Sequence, residues 1–453
     1  MPSSRRIDMI NGPISKSVPL FALPVAATAI LEQLFNASDI AVVGNFTGAQ
    51  KTAAVAAVGA NSAIIALVVN LFVGIALGAN VVIANAVGRK DDESVRKAVH
   101  TSVVVSVLVG IFVGVLGEIF ASPVLRLLNV PEDVFPLALL YLRIYLLGLP
   151  VILLYNFEAA IFRSIGETKT PLMALVVSGV LNVVLNLFFV AVLKMTVNGV
   201  AIATVISNAV SALILFLRLL KSNQAVRLDF RKLRVDSAIL AQILKIGVPA
   251  GIQSAVFAVS NIIVQAAINS LGTVIMAASS AAYNIEIITY YILNSFAQAC
   301  TTFVGQNFGA GKIDRCRKSL AVCLAEGAVV LAVAIFAVIL SGKKLVSFFN
   351  NDPEVVNAGY VRLMFAMASH SFCLFYEVMS GYLRGFGISL APAILTMLGV
   401  CGVRIAWIEL VFPQSRSFQT IMTVYPVSLA TTAFLILCAV LYYHPAKRFR
   451  RGA

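Results

Sequence analysis

ILEQLFNASDIAVVGNF, residues 30–46, is the far end of an apolar run that begins at Val18. The run exceeds the ~20 residues that carry a helix across a bilayer, yet it holds Glu32 and Asp39. An ionisable group inside such a segment is costly and marks a functional site by default. On a helix, Glu32, Asn36 and Asp39 fall at i, i+4 and i+7, which is one face. A polar stripe on a greasy helix needs other helices to face, so the fold must supply a bundle around it.

Composition agrees. Of 453 residues, 60% are hydrophobic and only 12% are charged, about half the ~25% of soluble domains. The chain therefore reads as a polytopic membrane protein. The net charge of +14 is not a nucleic-acid signature, because the basic residues sit in short loops between apolar runs. All six cysteines lie in the second half and none forms a CxxC pair, so they read as small buried hydrophobes, not a zinc or redox site. The polar start, MPSSRRIDMINGPISK, leads into a run with no small-residue cleavage site, which is the pattern of a span and not of a removed signal peptide.

Twelve runs are long enough to span. They cover roughly 18–45, 53–85, 98–121, 135–161, 171–193, 198–220, 240–269, 273–304, 319–341, 355–380, 392–412 and 419–443. An even number puts both termini on one side. On one set of loops, termini included, lie 24 Lys and Arg; the opposite loops hold 6. The positive-inside rule then predicts both termini in the cytoplasm.

The chain repeats itself. Arg163-x-x-Gly166-x4-Pro171 recurs as Arg384-x-x-Gly387-x4-Pro392, an offset of 221, and Gly88, Arg96 and Lys97 meet Gly309, Arg317 and Lys318 at the same offset. At an offset of 225, Pro24 and Asn36 meet Pro249 and Asn261. The expected organisation is an N-terminal lobe (1–220), a basic cytoplasmic linker (221–239) and a C-terminal lobe (240–453). Each lobe has six spans, and a pseudo-two-fold along the membrane normal relates them. That is a transporter architecture with its site near the midplane.

Further polar stripes follow helical spacing: Ser178, Asn182 and Asn186; Asn261, Gln265 and Asn269; Tyr283, Glu286, Tyr290 and Asn294; His370, Glu377 and Arg384. The plain reading of the amides is hydrogen bonding between helices. Glu286 and Glu377 are harder to dismiss, because a carboxylate has to face water, a partner or a proton. Arg384 is expected to snorkel to the cytoplasmic interface, and Glu118, Glu158, Glu326 and Glu409 read as interface or packing residues. The halves are not equivalent. Asp39 aligns with Val264, and Asn182 and Asn186 align with Val403 and Trp407. A structural device should appear in both repeats, whereas a coupling site need appear in one. Pro24 and Pro249 each remove a mid-helix hydrogen bond and permit a bend. No Walker, GxGxxG, HExxH or GxSxG motif is present, so the chain is expected to be no enzyme and to need no cofactor beyond a coupling ion.

FVGQNFGAGKIDRCRKS (303–319), RSIGETKTP (163–171), SDIAVVGNFTG (38–48) and LRGFG (383–387) resemble the multidrug and toxic compound extrusion (MATE) transporters, a family within the flippase-related superfamily. The resemblance covers nearly the whole chain. It implies an all-α membrane protein of twelve helices in two six-helix lobes. It also implies export of amphipathic or cationic compounds in exchange for H+ or Na+. The family's N-lobe ion site, an acid in the first helix, an Asn-x3-Asp pair in the fifth and a threonine in the sixth, falls here on Asp39, Asn182, Asn186 and Thr204. Asn186 is an amide where the family often has aspartate. One carboxylate in place of two weakens a sodium site at Asp39 without excluding it, since a hard monovalent cation favours charged oxygen ligands.

The expected working parts are then Asp39 as coupling group and Pro24 as hinge. Glu32, Asn36, Tyr283, Glu286 and Glu377 are expected to line a substrate cavity, where acids and aromatic faces attract organic cations. The expected partners are small organic cations or amphipathic drugs and the lipid bilayer, with no nucleic acid. The expected setting is a bacterial inner membrane, with the chain acting as a monomer. The rival within transporters is a flippase for a lipid-linked precursor, which should need a basic cavity for pyrophosphate. A non-transporting scaffold would leave the repeat and its one-sided acids unexplained.

Overall fold

A computed structural model describes residues 6–448, so Arg5, Arg450 and Arg451, counted above for topology, lie outside the described residues. Among the described residues there is no strand. The helices are α1 (Ile14–Phe46), α2 (Lys51–Gly88), α3 (Asp92–Leu127), α4 in two pieces (Phe135–Leu147 and Leu149–Ser164), α5 (Lys169–Val192), α6 (Val197–Leu220), α7 (Ser237–Asn269), α8 (Thr273–Gly309), α9 (Ile313–Ser347), α10 (Pro353–Gly385), α11 (Leu390–Gln414) and α12 (Phe418–Tyr443). They match the twelve expected spans one for one. Ten are long and apolar enough to cross a membrane, and the bent α4 makes an eleventh. The twelfth, α8, has 37 residues but is diluted by Tyr283, Glu286, Tyr290 and Asn294. Most helices overrun the apolar runs, because a helix continues into the polar interface where the hydropathy signal stops.

Three breaks in regularity were not expected. The two pieces of α4 meet at a 50° bend, where Gly148 is followed by Leu149 and Pro150; proline at the start of the second piece has no N–H to continue the first. A Cβ at Gly110 on α3 would lie 2.5 Å from Pro150 Cα, so α3 packs directly onto this break. In α5 the helix loosens into a π turn at Leu187–Val192, immediately after Asn186. In α11 a π turn at Met397–Gly402 precedes Val403 and Arg404. Such turns are frequent at functional sites.

The described residues pack as two units. Arg6 and Ala27–Leu244 form one, and Ile7–Ala26 with Lys245 onward form the other. The chain changes unit inside α1 and inside α7, close to Pro24 and Pro249 respectively. In the first unit, α2, α3 and α4 pack together, as do α5 and α6, over a core that includes Val43, Leu125, Leu142 and Val200. In the second, α8 packs along α10, and α10 against α12, over Phe21, Phe296, Phe303 and Tyr376. Of the cysteines, five are buried and Cys438 is exposed, and all six are free.

The sequence repeat is a backbone repeat. Gly166 and Gly387 both have φ of +81°, a left-handed conformation that glycine tolerates without cost from a Cβ. Gly166 N–H bonds Arg163 O at 3.0 Å and Glu167 N–H bonds Phe162 O at 2.9 Å; Gly387 to Arg384 and Ile388 to Leu383 repeat the pattern at 2.8 and 3.0 Å.

The 303–319 motif holds the chain that enters α1. Arg315 donates to Met9 O (3.1 Å), Gly12 O (2.7 Å) and Asn307 Oδ1 (3.0 Å). Asn307 Nδ2 donates to Met9 O at 3.0 Å, and Lys312 Nζ to Asn11 Oδ1 at 2.7 Å. The Asn11 and Ile10 amides donate to Asp8, and the Asn11 bond chiefly holds its carboxyl below the usual range. In the other unit, on the chain entering α7, Asp229 N–H donates to His100 Nε2 (3.1 Å) and Asp236 N–H to Thr101 Oγ1 (3.0 Å), while Lys97 Nζ lies 4.0 Å from Asp236 Oδ2.

Candidate functional site

In the first unit, α1, α5 and α6 bring four of the expected residues together. Asp39 is buried. Its Oδ1 accepts from Asn186 Nδ2 at 2.6 Å, and its Oδ2 accepts from Thr204 Oγ1 at 3.1 Å. Asn186 gives its second N–H to Asn182 Oδ1 at 3.1 Å, and Asn182 Nδ2 reaches Thr204 Oγ1 at 3.5 Å. Spacing explains the pairing on α5: positions four apart stack on one face. Thr204 also lies 3.0 Å from Val200 O, so its single proton has two competing acceptors. Asn186 Oδ1 is buried with no partner. Tyr141 and Tyr145 of α4, stacked with centroids 6.4 Å apart, lie within electrostatic reach of Asp39.

Glu32 and Asn36 share α1 with Asp39 but are exposed, so the predicted stripe is buried only at its end. Arg163 and Tyr155 lie within electrostatic reach of Glu32. Glu158 is wholly buried and neither carboxyl oxygen has a hydrogen-bond partner. Sequence spacing gave no stripe for it, and it reads there as a packing residue. Glu118 faces Arg143 at 3.5 Å.

In the second unit, Glu286 is not free: its Oε2 lies 3.0 Å from both Nε and Nη2 of Arg362, which also bonds Ser279. Tyr283 is exposed and its ring lies 5.7 Å from the Arg362 guanidinium carbon. Glu377 is buried on α10. Arg384 does not snorkel. It is buried and donates to Gln253 Oε1 at 2.7 Å, because α7 offers an amide where the interface would offer water. Gln265 and Asn269 do not join helices either; they bond one another along α7 at 2.8 Å. Asn261 does join helices, accepting from Arg404 Nη1 at 2.7 Å. Pro24 lies within the unbroken α1.

Any cation at Asp39 would draw on its two carboxyl oxygens, Asn182 Oδ1, Thr204 Oγ1 and, after an amide flip, the partnerless Asn186 Oδ1. Among the described residues, no group of three or more His, Cys, Asp or Glu side chains could hold a metal ion. The donor set suits a proton or a weakly held monovalent ion and does not suit a transition metal.

Twelve helices divided between two compact units, with a buried amide-bonded carboxylate in one, define a polytopic membrane carrier. The MatE family model matches residues 24–188 and 249–408, one block in each half of the sequence. The chain belongs to that family, the MATE transporters. It is 27% identical to the "Probable multidrug resistance protein YoeA" of Bacillus subtilis over 86% of this chain and 85% of that protein. It is 24% identical to the "Probable multidrug resistance protein NorM" of Thermotoga maritima over 90% and 87%. The fold matches a MATE transporter in an outward-facing conformation, with TM-score 0.89 at 19% identity over 99% and 100% of the chains. A MATE crystallised with MaL6 gives 0.91 at 18% identity over 98% and 100%. The twelve-helix, two-lobe fold of that family is the fold of this chain.

Proposed function

We propose that this protein is a secondary active antiporter of a bacterial plasma membrane. It exports cationic or amphipathic drugs in exchange for H+ or Na+, with Asp39 as the coupling group. The carrying observation is the Asp39 cluster: one buried carboxylate whose two oxygens are bonded to two different helices, α5 and α6. The names of the relatives, multidrug resistance proteins, support drugs as the cargo and do not favour the flippase reading.

A proton on Asp39 changes which of these bonds can exist. The carboxylate accepts from Asn186 and Thr204. A carboxylic acid must donate one bond, and Asn186 Oδ1, which has no partner, can accept it once the amide flips. The flip withdraws the Asn186 N–H from Asn182. Loading Asp39 therefore rewires α1 and α5, while Thr204 of α6 keeps its bond to the other carboxyl oxygen. An ion that binds the two wirings unequally shifts the balance between conformations.

The test is efflux of a fluorescent organic cation from proteoliposomes under a proton gradient or a sodium gradient, imposed separately. One of the two gradients should drive flux in the wild type, and Asp39→Asn should abolish it at unchanged expression. Coupled flux through that variant would overturn the role of Asp39. Flux under neither gradient would overturn the antiporter reading.

A further inference from the structure

Among the described residues, Arg404 has no counter-charge within ion-pair distance. It is 2% exposed, in the middle of the second unit. Its Nη1 donates to Asn261 Oδ1 at 2.7 Å and its Nε lies 3.4 Å from Ser428 Oγ. Its guanidinium carbon sits 4.7 Å from the Tyr425 ring centroid and 5.2 Å from that of Phe257. Among the described residues, no carboxylate lies within ion-pair distance of it. Arg362, whose guanidinium carbon lies 5.7 Å from the same Tyr425 ring centroid, has Glu286. Two guanidiniums and one carboxylate leave this cluster one positive charge in excess.

Buried charges are ordinarily paired, since an amide oxygen and ring faces supply only partial charge. A guanidinium is also a rigid fork that matches a carboxylate edge. The repeat sharpens the point. In the first unit, α1 and α5 are tied by Asp39 and Asn186, an acid and an amide. Their counterparts α7 and α11 are tied by Asn261 and Arg404, an amide and a base. Asn261 stands where the repeat places Asn36, and Val264 where it places Asp39. The same helix pair carries the opposite charge, and each pair has a π turn beside it.

We propose that the second unit holds an anion-accepting subsite at Arg404. It takes the carboxylate of a solute whose apolar or aromatic body lies against Tyr425 and Phe257. The assignment stands on the second unit alone and holds whether or not Asp39 couples transport.

Trp407, the single tryptophan of the chain, is one turn beyond Arg404 on α11 and donates to Thr420 O at 2.8 Å. It is a built-in reporter. The full-length protein in phosphatidylcholine nanodiscs is titrated with 4-phenylbutyrate and with its uncharged amide, following Trp407 emission on excitation at wavelengths neither compound absorbs. The acid should give a saturable change at least about tenfold tighter than the amide, the worth of ~1.4 kcal/mol. Arg404→Gln should lose this preference, and Arg404→Lys, which keeps the charge but not the fork, should retain part of it. Size-exclusion profiles confirm that the variants fold, and the acid-against-amide comparison in the wild type needs no variant. Equal affinity for acid and amide, or a preference unchanged in Arg404→Gln, overturns the proposal. So does a response to inorganic phosphate or to phosphatidylglycerol discs without a response to the acid, which would make the ligand a phosphate headgroup.

Discussion

Asn186 donates to Asp39 and to Asn182 while its own oxygen has no partner. It is therefore the side chain whose chemistry decides what Asp39 can hold. Asn186→Leu removes the N–H given to the carboxylate, a bond to a charged group worth about 1.5–3 kcal/mol. Efflux of an organic cation from proteoliposomes should fall at least about tenfold with the protein still folded; wild-type rates would show that the bond has no part in transport. Asn186→Asp is the sharper change, because it sets a second carboxylate at hydrogen-bond distance from the first. Two adjacent acids either share a proton or recruit a cation. Efflux by this variant should become sodium-stimulated when a sodium gradient replaces the proton gradient. A variant that stays active and indifferent to sodium would show that the paired acids share a proton and that the Asp39 cluster holds no sodium ion. Asp39, Asn182 and Asn186 were legible in the sequence because a polar residue in an apolar run stands out and helical spacing pairs it. Thr204 was not, except through family resemblance, because one threonine among isoleucine, alanine and valine carries no periodic signal. The Asn261–Arg404 pairing was missed because partnership across helices leaves no trace in spacing along one helix.

Two close approaches between helices depend on glycine in different ways. A Cβ at Gly110 would meet Pro150 Cα at 2.5 Å and Pro150 N at 3.0 Å, at the break in α4. Backbone cannot step aside cheaply, so α3 and α4 must separate. A Cβ at Gly179 on α5 would collide with the Phe35 ring. A ring can turn, but Phe35 is one helical turn before Asp39 on α1, and its movement disturbs the α1–α5 contact that Asp39 and Asn186 bridge. Gly110→Ala should thus act mainly on stability, near the upper end of the roughly 1–3 kcal/mol of overpacking, partly offset by alanine's better helix propensity. Gly179→Ala should act mainly on transport, with a small stability loss. Thermal midpoints in detergent and efflux rates, measured on both variants, check the crossing. If both variants lose stability equally and transport alike, the distinction between backbone and ring fails. The elements themselves were legible because twelve long apolar runs admit one secondary structure in a bilayer. The π turns were not, because a shift of one residue in hydrogen-bond register changes no composition. The α4 break had a signal, Gly148 two residues before Pro150, that the continuous hydropathy masked.

At the scale of the whole chain, the repeat is written twice, once in residues and once in backbone. Gly166 and Gly387 share a φ of +81°, and Lys90 and Gly311, also 221 apart, are both left-handed at +58° and +70°. The turns that carry these angles are the turns where lysine and arginine gather, so the repeat and the charge asymmetry mark the same face of the membrane. Asn223 lies in the linker that follows α6, and Asn129 in the loop between α3 and α4, a loop set that the positive-inside rule assigns to the opposite side. Both residues are exposed. Cysteine is introduced singly at each, in a Cys438→Ser background, since the other five native thiols are buried. A membrane-impermeant maleimide applied to intact cells should label Asn129→Cys, and should label Asn223→Cys only after permeabilisation. The reverse pattern would turn the molecule over, placing the basic loops outside and reversing the direction in which the Asp39 cluster is reached. Labelling of both in intact cells would mean that an even number of spans, and not the three of α4, α5 and α6, separates these loops, and would dissolve the two-by-six organisation on which the comparison of Asp39 with Arg404 depends.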